Sequence, residues 1–102
     1  MELQLVNPLA NGVFPAKSVT YTGTAGSTGT WSKGAHCVLV WSDQACYVVV
    51  GEDVTATTSD TPIPANIPIP FIVPDNVTSS WRVSAIQVST GGTVYCKPLG
   101  RQ

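Results

Sequence analysis

His36 and Cys37 are the residues of this chain whose types most invite chemistry. An imidazole to take a proton beside a thiol to attack is the pairing of Cys–His nucleophilic catalysis. Their spacing defeats it. They are neighbours in His-Cys-Val-Leu-Val, a strand-forming stretch, and successive strand residues point to opposite faces. Cys46 or Cys96 could reach His36 only across a sheet, and no sequence feature specifies that geometry. A half-buried structural histidine is expected.

The same four side chains are zinc-type ligands, but there is no Cys-x2-Cys or His-x3-His knuckle, and adjacent ligands on one strand are awkward. Neither a metal nor another cofactor is expected. Three cysteines are an odd number, so at least one must stay a thiol or pair with another chain. Each lies in an apolar, β-like stretch, which predicts buried thiols. One disulfide remains compatible with the sequence.

Six carboxylates, Glu2, Asp43, Glu52, Asp53, Asp60 and Asp75, are enough in type for a glycosidase pair. Glu52 and Asp53 diverge if extended. Asp43, Asp60 and Asp75 sit in Ser-Asp-Gln, Ser-Asp-Thr-Pro and Pro-Asp-Asn, contexts in which Asp caps local backbone. Gly23, Gly26 and Gly29 recur every third residue but match no phosphate-binding fingerprint, so a loop is expected. Asn76-Val-Thr78 is a formal glycosylation sequon without a signal peptide to make it meaningful. Trp31, Trp41, Trp81, Tyr21, Tyr47 and Tyr95 are expected as core and interface aromatics. No catalytic residue emerges.

The elements that must position these groups are strands. Val (14), Thr (12) and Ile (5) dominate, against 5 Leu and 1 Met, and β-branched residues favour strands. No window carries a clean helical stripe, and turn residues interrupt the chain repeatedly. The pattern predicts strands over 3–6, 18–22, 36–41, 45–50, 54–57, 67–73, 81–88 and 93–97. Short strands at this density mean an all-β fold: a compact antiparallel β-sandwich or jelly roll of about seven or eight strands. We expect one β domain over 1–102, with an extended N-terminal arm over 1–17 and a sandwich body over 18–102. Strands 36–41 and 45–50 are apolar on both faces and so central. Ser42-Asp-Gln44 and Ser89-Thr-Gly-Gly92 read as hairpin turns, the latter with glycines at positive φ. The change of apolar parity within 81–88 predicts a β-bulge or a strand crossing into the core edge.

From Pro62 to Pro74 the prolines 62, 64, 68, 70 and 74 are all even, whereas Ile63, Ala65, Ile67, Ile69, Phe71 and Val73 are all odd. Backbone N–H direction alternates with the same period, so the missing donors line one edge and only the other edge can pair. This predicts an edge strand of the sandwich, or an arm that crosses to a neighbour. Such an edge also resists unwanted growth.

Composition narrows the function classes. Only 11% of the residues are charged, less than half the average for soluble domains. Spread over a surface on the order of 5,500 Å², so few charges suit a chain that buries surface in an assembly. A net charge of −1 argues against nucleic acid, which needs a basic footprint. No apolar run approaches a membrane span, and Met-Glu-Leu-Gln-Leu-Val-Asn-Pro lacks a cationic start and signal core.

The run Thr-Ala-Thr-Thr-Ser-Asp-Thr-Pro-Ile-Pro-Ala-Asn-Ile-Pro-Ile-Pro-Phe-Ile-Val-Pro over 55–74, followed by Trp-Arg-Val-Ser-Ala-Ile-Gln-Val over 81–88, resembles small virion structural proteins of tailed bacteriophages. These include head decoration, or cement, proteins and related head-accessory modules. The likeness spans 45–99. It lies in the pairing of a proline-laced apolar edge with a strand such as 81–88. The resemblance implies a small sandwich or jelly roll without enzymatic activity. Such a protein is made in the host cytoplasm and placed on the capsid surface, where it contacts the major capsid protein and itself as a homo-dimer or trimer. Leu3, Leu5, Val6, Phe14, Ile63 and Ile67 are the expected interface residues. The alternative is a head-tail or fibre-associated β module that binds a receptor or carbohydrate, for which Trp31, beside the Gly/Thr loop, would serve.

Overall fold

A computed structural model describes residues 6–8, 14–74 and 77–101. Ten strand segments form two antiparallel sheets, and no helix occurs among the described residues. They are β1 (Val6–Pro8), β2 (Lys17–Tyr21), β3 (Gly26–Ser27), β4 (Trp31–Ser32), β5 (Cys37–Ser42), β6 (Cys46–Gly51), β7 (Thr61–Ile63), β8 (Ile69–Ile72), β9 (Ser80–Gln87) and β10 (Gly92–Arg101). The first sheet runs β1/β2, β10, β5, β8; the second runs β3/β4, β9, β6, β7. In each, two short segments share one edge along a long strand. The β2–β10, β3–β9, β5–β8 and β6–β7 pairs are those of a ribbon folded over on itself. This is the strand order of a jelly roll, and the expected sandwich is the fold.

Alternation on the strands builds the core. Val38, Val40 and Ser42 of β5, Val94 and Cys96 of β10, and Trp81, Val83 and Ala85 of β9 are all fully buried between the sheets. β-Branched Val suits this setting because its single preferred rotamer is also the one that packs on a pleated surface. Strands β5 and β6 each have a partner on both sides, as their two apolar faces predict.

The expected hairpins are not hairpins. β5 and β6 lie in different sheets, and so do β9 and β10, so 43–45 and 88–91 are corners that cross the sandwich. Three or four turn residues are enough for either path, and the choice is made by where the next strand finds a partner. β6–β7 is the hairpin, with its loop over 52–60. The strand expected over 54–57 is part of that loop: Ala56 N–H donates to Ser84 Oγ (2.8 Å) and Arg82 Nε to Val54 C=O (3.0 Å), so these backbone groups bond to side chains of β9 rather than to a ladder. Gly91 and Gly92 do not adopt positive φ. They are needed for space, since a Cβ on Gly91 would stand 2.7 Å from the Tyr21 carbonyl oxygen and one on Gly92 would strike the Asp43 carboxylate.

β9 runs against β6 in unbroken register from Arg82 to Gln87, so the bulge expected within 81–88 is absent there. It sits on the facing edge instead. Between Ser27↔Ser84 and Trp31↔Trp81 the edge spends one residue more than β9. Thr28 covers the break: its buried Oγ1 accepts the Val83 N–H at 3.1 Å. Ile86 and Val88 simply face outward, Val88 being 46% exposed.

The proline run is an edge of both sheets, through β7 and β8. Val73 N–H donates to His36 C=O (3.2 Å), so odd-numbered amides face β5. The outward positions are Pro68, Pro70, Ile72 and Pro74, of which Ile72 alone has an N–H. The edge expectation holds, and both segments pair within their own chain. Pro98 follows the same logic inside β10. Leu99 C=O accepts the His36 N–H, so the Pro98 nitrogen faces the other side, where β2 ends opposite Cys96 and β1 begins opposite Leu99. Its missing donor falls in the gap between two edge segments.

Candidate functional site

The residues singled out for chemistry are engaged in the fold. His36 is half-buried, with its backbone tied to Leu99 and Val73. Cys37, Cys46 and Cys96 are buried free thiols, and burial pushes all three thiols up, Cys96 to about 12. Thiolate chemistry is therefore suppressed. Among the described residues no three His, Cys, Asp or Glu side chains gather. Asp60 caps its own turn, accepting the Thr57 N–H at 2.7 Å, as expected. Asp43 instead reaches across the corner to the Thr93 N–H (2.8 Å). Glu52 accepts the Thr78 hydroxyl and amide and the Ser79 hydroxyl, and these bonds hold its carboxyl below the ordinary range. Asp75 and Asn76 of the sequon lie outside the described residues.

Trp31, on which sugar binding would rest, is 2% exposed. Its ring stacks on Trp81 at 4.7 Å between centroids, and its Nε1 donates to Pro15 C=O at 2.7 Å. Lys17 Nζ lies 5.7 Å from the ring centre. A sugar has no face of Trp31 to stack on. Two open hollows, of about 390 and 430 Å³, share Pro74. One is lined by Lys33, Gly34, Ala35, Val73 and Val77 and the other by Val50, Gly51, Glu52, Asp53 and Val54.

Tyr21 closes the corner between β5 and β6. Its hydroxyl lies 2.6 Å from Ser42 Oγ and donates to Gln44 C=O (2.8 Å), while Ser42 Oγ donates to Thr93 C=O (3.1 Å). Burial raises the Tyr21 hydroxyl from 10.0 to about 12. Tyr21 and Cys96 thus hold their protons in the fold after the unfolded chain has released its own. Their contribution is complete below about pH 9 and is lost as pH climbs through about 12. Urea titrations repeated from pH 8 to 12 should show stability falling above pH 9. Cys96→Ala should reduce the fall from its onset, with Cys37 and Cys46 supplying what remains there, and Tyr21→Phe should reduce only the part above pH 10. A flat profile in the wild type would contradict the burial of both groups. Ser84 likewise holds the 52–60 loop, and Ser84→Ala should cost about 1–2 kcal/mol by orphaning the Ala56 amide, measured by the same titration.

What the fold leaves for contact is surface. Of the expected interface residues, Leu3 and Leu5 lie outside the described residues, as does the side chain of Val6, whose backbone is in β1. Phe14 is half-buried and packs against the core, Ile63 is 2% exposed within it, and Ile67 is 52% exposed. Sequence reasoning missed the rest. The outer face of the first sheet carries three cross-strand rows: Tyr95 with Trp41; Lys97, Leu39 and Pro70; Leu99, Cys37 and Ile72. Tyr95 and Trp41 stack at 5.8 Å, and Ile72 is 73% exposed. The signal was present as strands apolar on both faces, which burial within a sheet also explains. No protein family, curated protein or solved structure matches this chain.

Proposed function

We propose that the chain is a non-enzymatic virion structural protein that decorates or cements a phage capsid shell, through self-association and contact with the major capsid protein. One observation carries the reading. A chain with 11% charged residues leaves Ile67, Ile72, Val88 and Tyr95 exposed, with Ile72 and Tyr95 on one sheet face alongside Trp41, Leu39 and Pro70. Contiguous apolar surface of this kind marks a contact site. The resemblance of 45–99 to head decoration proteins points the same way. The jelly-roll order adds only analogy, because one fold serves many functions.

A cement protein acts by mass action. It binds the assembled shell and not the dissociated subunits, so each bound copy raises the free energy of opening the shell. Many weak contacts held together on a lattice act as one strong one. Quantitative mass spectrometry of purified particles should find the chain in tens to hundreds of copies. A handful per particle would instead assign it to the neck, tail or fibre, and absence from particles would overturn the reading.

A further inference from the structure

Building on the shell-protein reading, we propose that the outer face of the first sheet, β10–β5–β8, is where one copy of this chain packs against the same face of a second. The face is apolar across all three rows. Ile72 and Pro70 are exposed, Tyr95 is 40% exposed, and Leu39 and Trp41 are half-buried, whereas Cys37 and Leu99 are buried, so Ile72 is the open part of the third row. Among the described residues its one charge is Lys97, whose Nζ donates to Phe14 C=O at 2.8 Å, drawing the ammonium towards the β2 side. No carboxylate lies on these rows. A partner selected by charge has nothing to read here, whereas a second uncharged apolar face fits.

Other ways for two copies to join are disfavoured. Pairing through β8 would need outward amides, and three of the four outward positions are proline. The second sheet has part of its outer face covered by its own chain, where the 52–60 loop bonds to Ser84 and Arg82. The area is also right for a weak contact. Three strands about 4.8 Å apart and three rows along the strand give at most about 300 Å² in projection. Two copies would therefore bury on the order of 600 Å², below the roughly 1,000 Å² of an interface that is stable by itself. A two-fold contact of this size joins the same patch on each copy and becomes strong only when a lattice supplies further contacts.

Sedimentation velocity over a wide concentration range tests this. The wild type should pass from monomer to dimer as concentration rises. Ile72→Lys and Tyr95→Lys should each weaken association at least about tenfold, the equivalent of about 1.4 kcal/mol. Val88→Lys, at the end of β9 in the other sheet, should leave it unchanged. Near-ultraviolet circular dichroism of the buried Trp31–Trp81 pair verifies that each variant is folded. A wild type that stays monomeric throughout, or face variants that associate as the wild type does, would overturn the pairing. So would a Val88→Lys chain that alone fails to associate. If the wild type is monomeric yet abundant on particles, the face pairing fails while the shell reading stands. Face variants that self-associate normally but leave the particle would show that the shell itself covers this face.

Discussion

Trp81→Ala is expected to unfold the protein or to bring it close to unfolding. Trp81 is fully buried near the start of β9. Its ring stacks on Trp31, and its Nε1 donates to Ser32 C=O at 3.0 Å. Truncation removes one of the two largest side chains of the core, strips one face of Trp31 and leaves a cavity beside β4. Aromatic-to-Ala changes in cores cost about 3–5 kcal/mol, set against a total of about 5–15 kcal/mol for a domain. A fall in Tm of roughly 15 °C or more follows for a chain of this size. Trp81→Phe keeps a ring on Trp31 and should recover more than half of the loss. A Trp81→Ala chain that melts within a few degrees of the wild type would contradict the stacked core.

The second large effect is steric. Gly26→Ala should destabilise the chain by about 3 kcal/mol or more, because overpacking that strikes backbone cannot be relieved by a rotamer change. A Cβ at Gly26 runs into the Thr20 carbonyl oxygen and comes within 3.3 Å of Val19 Cγ2. Thr20 belongs to the first sheet and Gly26 to the second, and their contact closes the corner between β2 and β3. Moving either would pull Thr20 from Thr93 or Gly26 from Ala85. Gly23→Ala, in the same turn but with only Gln87 Nε2 at 3.7 Å, is the control and should be nearly neutral. Chemical denaturation of the pair measures the difference directly.

These two sites mark what local sequence does and does not encode. Hydrophobic alternation and β-branched content located β2, β5, β6, β9 and the first half of β10 to within two residues. The even-numbered prolines showed which edge of 68–74 is unable to pair, because φ, N–H direction and side-chain direction share a period of two. Sheet membership was not legible. The three residues after Ser42 suit a hairpin as well as a corner, and the corner is fixed by distant partners, with Tyr21 binding Gln44 and Asp43 binding Thr93. The segments β3 and β4 have two residues each and owe their place to Thr28 and the Trp31–Trp81 stack rather than to any periodicity. Gly26 belonged to a recurrence of glycines whose purpose, close approach of two backbones, needs the fold to become visible.

The contact face was hidden for a related reason. Trp41 and Leu39, Tyr95, and Ile72 lie on three different runs of sequence, and only the register of β10, β5 and β8 makes them neighbours. Of the residues named from sequence for contact, Ile63 is absorbed by the core and Ile67 remains exposed. A sequence reader could have suspected the face from Trp41 and Tyr95, large aromatics whose neighbours Val40 and Val94 already fill the inward positions.

The central claim is that this chain works by covering surface on an assembled shell. Its most direct test is to add the purified chain back to shells stripped of it and to follow the temperature at which they open. Saturable binding with a rise in that temperature, growing with the concentration of the chain until sites are full, is the predicted result. Shells that bind none of it, or that bind it and open at an unchanged temperature, would contradict the claim.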